Sequence, residues 1–114
     1  IIPVPEEILS SSQNNEDSDF ILSEYSLSQN YPNPFNPTTQ IQFGLPGDQF
    51  VNIAIYDVMG RKIRSLINNS KAAGYHSIRW DAKNNVGQGV AAGIYVYTIE
   101  AGEFRGTKKM ILLK

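Results

Sequence analysis

The chain has no cysteine, one histidine and one tryptophan among its 114 residues. Without cysteine there is neither a disulfide scaffold nor a thiolate metal site, and the redox compartment stays open. A zinc site would have to draw nearly all its ligands from carboxylates, which is unusual. The lone His76 alternates with its neighbours inside a strand pattern and reads as structural. No apolar run approaches the roughly 18 residues of a membrane-crossing helix. Basic residues are missing from the first half. Residues 1–50 hold Glu6, Glu7, Glu16, Asp17, Asp19, Glu24 and Asp48 with no Lys or Arg. Residues 51–114 hold all ten Lys/Arg and only four acids, so a net charge of −1 hides two halves of opposite sign. That balance gives no general attraction to nucleic acid. The chain starts at Ile1 in an acidic, Ser/Asn-rich stretch, unlike a secretory leader. We read it as a piece from the C-terminal part of a longer protein.

What is present divides at about residue 22. Residues 1–22 are polar, acidic and without period, and bury too little apolar area to offset about 1–2 kcal/mol of chain entropy per residue. They read as a disordered linker from the parent protein, with Ile1, Ile2, Val4, Ile8 and Leu9 its sticky positions. Residues 23–114 read as one domain. From Phe20 the pattern turns to period two, entering a strand through Leu27. Ile41, Phe43 and Leu45 share one face of a second strand, and Val51, Ile53 and Ile55 one face of a third. Asp57-Val58-Met59-Gly60 is a turn, Lys62–Ile67 a short strand and Asn68–Gly74 a loop. Tyr75–Asp81 is a strand, Lys83–Ala92 a loop, and two strands with a tight turn follow to Lys114. About seven short strands with regular turn signals and no helix predict an all-β fold, an Ig-like antiparallel β-sandwich, with a small closed barrel as alternative.

Tyr31-Pro32-Asn33-Pro34-Phe35-Asn36-Pro37 contains three of the six prolines. Fixed proline φ angles make it a stiff connector with two aromatic plugs, Tyr31 and Phe35. It either covers one end of the sandwich, Phe35 capping the core, or offers a ledge to a partner. Asp81, Asn84 and Asn85 could donate oxygens to calcium, but Lys83 stands where a second acid belongs and no Glu closes the loop. Asx-turn chemistry accounts for the same residues without a metal. Trp80, Tyr75, Tyr95 and Tyr97 could form a carbohydrate platform, though alternating aromatics in a sandwich usually face the core. No base, nucleophile and orienting group come together, so neither enzyme activity nor a cofactor is expected.

These segments, in this order, resemble the C-terminal sorting domain of cargo proteins of the type IX (Por) secretion system. The likeness covers about residues 25–114. It rests on Leu27–Pro37, Ile55–Arg61, Trp80-Asp81, Gly93-Ile94-Tyr95-Val96-Tyr97 and Lys109–Lys114. The Ig-like domain of flagellar hook-capping proteins shares the Ile55–Arg61 and Gly93–Tyr97 style but accounts less well for the closing Lys strand. The resemblance implies a non-catalytic address. A Sec signal on the parent would take it to the periplasm, and the outer-membrane translocon would pass it to the cell surface or medium. A surface peptidase would often cut ahead of the fold. The implied recognition residues are Gly93, Tyr95, Lys108, Lys109, Met110, Leu112, Leu113 and Lys114, with Tyr31–Pro37 as the opening motif. Lys108, Met110 and Leu112 share one face of the last strand, and Lys109, Ile111 and Leu113 the other. An edge position would let this strand pair with a receptor strand, Ile111 and Leu113 packing inward and Lys114 with its carboxylate fixing register. Exposed edges and the Ile1–Val4 segment leave weak self-association open. The competing reading is a structural Ig-like spacer of a secreted protein.

Overall fold

The computed structural model describes residues 22–114. Phe20, Ile21 and the linker reading lie outside them. Seven strands form two antiparallel sheets, and no described residue is helical. They are β1 (Ser26–Leu27), β2 (Thr39–Leu45), β3 (Gln49–Asp57), β4 (Lys62–Lys71), β5 (Gly74–Trp80), β6 (Gly93–Ala101) and β7 (Phe104–Leu112). One sheet has the order β1-β2-β5, the other β4-β3-β6-β7. The all-β sandwich read from the sequence is the fold.

Alternation explains why the two sheets meet. The inward sets are Ile41, Phe43 and Leu45 from β2, Val51, Ile53 and Ile55 from β3, and Tyr95, Tyr97 and Ile99 from β6, all buried. A one-residue slip would turn any of these sets into solvent, so burial fixes the register. The core has two continuous parts. Ile41, Trp80, Ile55, Tyr95, Tyr97, Met110 and Leu112 gather with Phe35 at one end. Phe43, Leu45, Val51, Ile53, Ile67, Ile99 and Ala101 fill the other. Each buried aliphatic side chain contributes about 1.5–3 kcal/mol relative to exposure.

Two segments differ from the sequence reading. β4 runs the full ten residues to Lys71, so Asn68-Asn69-Ser70 is strand, pairing with Asn52, Val51 and Phe50. Its alternation is broken because the register shifts between Ile53 and Ala54 and again between Ile55 and Tyr56. Bulges of this kind place two residues opposite one and erase the period-two signal. β4 is also the edge of its sheet, where polar side chains are tolerated and blunt unwanted pairing. In the opposite sheet, the first strand is only Ser26–Leu27, paired with Gly44 and Phe43.

Two turns depend on glycine. Gly60 takes φ 85° in the β3–β4 turn, and Gly102 takes φ 61° in the two-residue β6–β7 turn. Gly102 is the first of the two central residues, where a positive φ suits the right-handed twist of the hairpin strands, and Gly60 closes the four-residue turn from Asp57. In the β3–β4 turn, Met59 and Arg61 both donate their backbone N–H to Asp57 Oδ1 (2.9 and 3.0 Å), and Arg61 Nε reaches Asp57 Oδ2 at 2.8 Å. The Arg61 amide, with lesser help from the guanidinium and the Met59 amide, holds the Asp57 carboxyl below its ordinary range against the opposing effect of desolvation.

Candidate functional site: a seam between the proline segment and the last strand

The proline segment and the last strand, about 80 residues apart in sequence, are bonded to each other. Gln29 Nε2 donates to the Lys109 carbonyl at 2.7 Å. The Ile111 amide donates to Asn33 Oδ1 at 3.0 Å. The Phe35 amide donates to the Ile111 carbonyl at 2.9 Å, and the Leu113 amide to the Phe35 carbonyl at 2.8 Å. Phe35 and Leu112 thus form a parallel bridge on the side of β7 away from β6. β7 is the terminal strand of its sheet, but the proline segment covers its outer edge from Lys109 to Leu113.

A second set of bonds fixes the start of that segment. The Asn30 amide donates to the Tyr97 hydroxyl at 2.8 Å, and that hydroxyl donates to the Ser28 carbonyl at 2.7 Å. Asn30 Nδ2 reaches Thr39 Oγ1 at 3.0 Å, and Thr39 Oγ1 donates to the Pro32 carbonyl at 2.8 Å. Asn30 and Thr39 are the buried polar residues among those described, and these bonds satisfy both side chains. Tyr97 is buried in the core, and burial pushes its phenol up to about 12 against the opposing pull of the Asn30 amide. Burial raises the Tyr95 phenol as well, with the Asp57 charge adding in the same direction.

Phe35 is the plug the sequence suggests. It is buried, with its ring 5.7 Å from that of Trp80, which in turn meets Tyr95 edge-on at 5.5 Å. Tyr31 is not a plug. It is 80% exposed, because its backbone pairs with Gln40 in both directions and leaves the ring outside. Pro32, Asn33, Pro34, Asn36 and Pro37 are exposed, so the segment is a cover with one inward side chain.

The faces of β7 are reversed from the packing expected for it. Met110 and Leu112 are buried, while Ile111 and Leu113 are exposed. The cause is register: Met110 lies opposite Tyr95 and Leu112 opposite Gly93, on the face that β6 turns inward. Among the expected recognition residues, Tyr95, Met110 and Leu112 are therefore inside the fold. Gly93, Lys109, Leu113 and Lys114 are exposed and Lys108 is half-buried.

Of the oxygens considered for calcium, those of Asn84 and Asn85 are engaged in hydrogen bonds, while Asp81 Oδ1 is buried without a hydrogen-bond partner. Asn84 Oδ1 accepts the amides of Val86 and Gln88 at 3.1 and 2.9 Å. Asn85 Oδ1 accepts the Ser65 amide at 3.0 Å and so covers the edge of β4. Asp81 Oδ1 faces Arg64 Nη1 at 3.5 Å. Among the described residues, no group of three or more His, Cys, Asp or Glu is placed to hold a metal. His76 bonds the Ala72 carbonyl at 2.7 Å and stacks on Phe43, so it serves the fold. Of the four aromatics considered for sugar binding, Trp80, Tyr95 and Tyr97 are buried and only Tyr75 is exposed.

The seam joins the opening and closing segments of the sequence pattern, and a family model covers both. The model described as a secretion system C-terminal sorting domain matches residues 29–113. The chain belongs to that family. No curated protein matches it. Among solved structures, the sorting domain is similar to part of dimeric latent PorU from Porphyromonas gingivalis, with TM-score 0.61 and 21% identity over 81% of this chain and 10% of that one. It is similar to part of PorZ, an essential surface component of the type IX secretion system of the same bacterium. There the TM-score is 0.52 and the identity 18%, over 85% of this chain and 12% of that one. The hook-capping protein FlgD from Xanthomonas campestris matches with TM-score 0.54 and 23% identity over 82% of this chain and 70% of that one. At these identities the likenesses establish the fold. The chain spans about a tenth of the length of PorU and PorZ.

Gln29, Asn30, Thr39 and Tyr97 hold the seam; the sequence reading singled out none of them for this role, having considered Tyr97 only as a sugar-binding aromatic. Gln29, Asn30 and Thr39 flank the proline run within the same motif, which is the signal that points to them. Nothing local in the sequence marks the Tyr97 hydroxyl, whose partners lie 67 and 69 residues away.

Proposed function

We propose that this domain is a non-catalytic address that directs a larger parent protein across the outer membrane through the type IX system, to the cell surface or the medium. The match of residues 29–113 to the sorting-domain family carries the reading. The seam supports it, since the bonds in it are made by the motifs at the two ends of the family pattern. The partners are the outer-membrane translocon, a surface peptidase and the parent's N-terminal domains. Residues 1–22 act as the linker and residues 23–114 as the sorting domain. Receptor contact falls to the accessible members of the recognition set, Lys108, Lys109, Leu113 and Lys114. Gly93, Tyr95, Met110 and Leu112 act through holding β6 and β7 in register. The proline segment occupies the β7 edge from Lys109 to Leu113, so the receptor reads side chains there rather than adding a strand.

The test is export. All 114 residues are fused behind a Sec signal and a fluorescent reporter in a host with a working type IX system. Reporter appearing outside the cell with the domain, and staying periplasmic without it, is the expected result. Equal retention with and without the domain leaves a structural Ig-like module. Leu113→Ser and Lys114→Glu, both on exposed positions, then test contact without disturbing the core.

A further inference from the structure

Among the described residues nine large hydrophobic side chains are exposed, and five of them lie together at one end of the four-stranded sheet: Val58, Met59, Ile94, Ile111 and Leu113. The register shows how they meet. Ile94 lies opposite Ile111 on the outer face, and Val58 enters the turn directly after Asp57, the β3 partner of Tyr95, at the same end of the sheet. Strand alternation puts Tyr56, Val96 and Lys109 in the next row on that face. Their exposures are 68% for Val58, 77% for Met59, 44% for Ile94, 38% for Ile111 and 51% for Leu113. The β3–β4 turn that lifts Val58 and Met59 into solvent is held rigid by Asp57. A rigid turn presenting two bare apolar side chains has no folding rationale, and clustered exposed apolar residues mark interaction sites.

The rim of this patch is basic. Lys62 lies just past the turn, Lys109 borders the row and Lys114 follows Leu113, while Arg61 is paired with Asp57. The acids of this end are already matched: Asp57 with Arg61 at 2.8 Å and Asp81 with Arg64 at 3.5 Å. A second copy of the chain would bring the same positive rim against itself, which like-charge repulsion opposes.

We infer that this outer-face patch is the docking surface for a protein groove with an apolar floor and an acidic rim on the export machinery. Val58, Met59 and Ile94 extend the contact beyond the last strand to the β3–β4 turn. The inference rests on the proposed sorting role and names residues that role does not require. Apolar burial supplies affinity at the centre, and the basic rim supplies orientation and faster encounter.

The test uses the full 114-residue chain in the export assay. A triple variant Val58→Thr, Met59→Ser, Ile94→Thr keeps a β-branched residue at Ile94, the one position of the three inside a strand. A second variant, Lys62→Glu with Lys109→Glu, reverses part of the rim. Phe50→Ser, an exposed apolar residue at the opposite end, is the control, and melting curves of each chain verify folding. A photo-cross-linking residue replacing Met59 reports the neighbour. The expected result is at least a tenfold loss of export for the triple variant, a several-fold loss for the rim variant and none for the control. All melting temperatures should stay near the parent's, and the Met59 adduct should be with an outer-membrane component. Undiminished export of a folded triple variant overturns the inference while leaving the sorting role intact. So does an adduct with residues 1–21 of the same chain or with a second copy. Failure of the unaltered chain to be exported instead overturns the sorting role.

Discussion

Replacing Tyr97 by Phe removes one oxygen atom and leaves the ring packing unchanged. The lost hydroxyl accepts from the Asn30 amide and donates to the Ser28 carbonyl. The two partners fare differently. Ser28 is exposed, and water replaces the phenol at its carbonyl. Asn30 is buried, so its amide is left without a partner. An orphaned buried donor costs about 1–3 kcal/mol, and we take about 2 kcal/mol as the loss at pH 7. For a domain of this size that lowers the melting temperature by roughly 8–16 °C. The pH dependence supplies an independent check. The Tyr97 phenol has its folded value raised to about 12 from an ordinary 10.0. Its contribution to stability is complete below pH 10. Between pH 10 and pH 12 the unfolded chain gives up the proton and the folded chain keeps it, so stability falls. The slope is about 1.4 kcal/mol per pH unit for one proton, or something over 2 kcal/mol across the window. Tyr97→Phe has no such loss. Urea titrations of both proteins from pH 7 to pH 11.5 should show a gap of about 2 kcal/mol at pH 7–9 that narrows steadily above pH 10. A gap below about 0.5 kcal/mol at pH 7, or one unchanged from pH 9 to 11.5, refutes the assignment of this hydroxyl as the tie between core and proline segment.

Phe35→Ala empties the buried plug beside Trp80 and should cost about 3–5 kcal/mol, a large share of a typical domain's stability, read as an early urea midpoint; Phe35→Leu should lose less. Gly102→Ala places a Cβ at φ 61° and 2.6 Å from Gln49 Nε2. The side chain can move but the backbone strain remains, so a loss on the order of 1–2 kcal/mol in chemical denaturation is expected. Asp57→Asn keeps an oxygen for the Met59 and Arg61 amides but removes the charge. Because the Asp57 carboxyl is held below its ordinary 3.8, its stabilising effect is present above that value and is lost as pH falls through the lower folded one. Melting temperature followed from pH 5 to pH 2 should fall less in the variant than in the parent chain.

Strand faces were legible in the sequence wherever burial was one-sided. β2 and β3 alternate without interruption, and Ile41, Phe43, Leu45, Val51, Ile53 and Ile55 all point inward as their spacing requires. β4 reads short in the sequence because two bulges break its alternation and its last residues are Asn, Asn, Ser and Lys at a sheet edge. The inward face of β7 was open to either choice, since Lys108-Lys109-Met110-Ile111-Leu112-Leu113 puts apolar residues on both sides. Only pairing with β6 decides it, and pairing is not a local property. Tyr31 and Phe35 illustrate the same limit. Both are aromatic residues next to proline, yet Phe35 fills the end of the core while Tyr31 is left outside by its backbone bonds to Gln40.

The seam changes what a truncation can mean. Deleting Lys109–Lys114 removes the buried Met110 and Leu112 from the core cluster. It also takes away the acceptors used by Gln29 Nε2 and the Phe35 amide, together with the donor to Asn33. Loss of two buried side chains at about 2–5 kcal/mol each is comparable to the whole stability of a small domain. Lost export of a truncated chain therefore does not separate loss of the fold from loss of a receptor contact. The proline segment would lose its anchor in the same step, so damage to the last strand and damage to the opening motif should give the same phenotype. Only exposed positions separate folding from recognition. The exposed side chains of Leu113, Lys114, Val58, Met59 and Ile94 can be altered while the bonds from Gln29 to Leu113 stay in place.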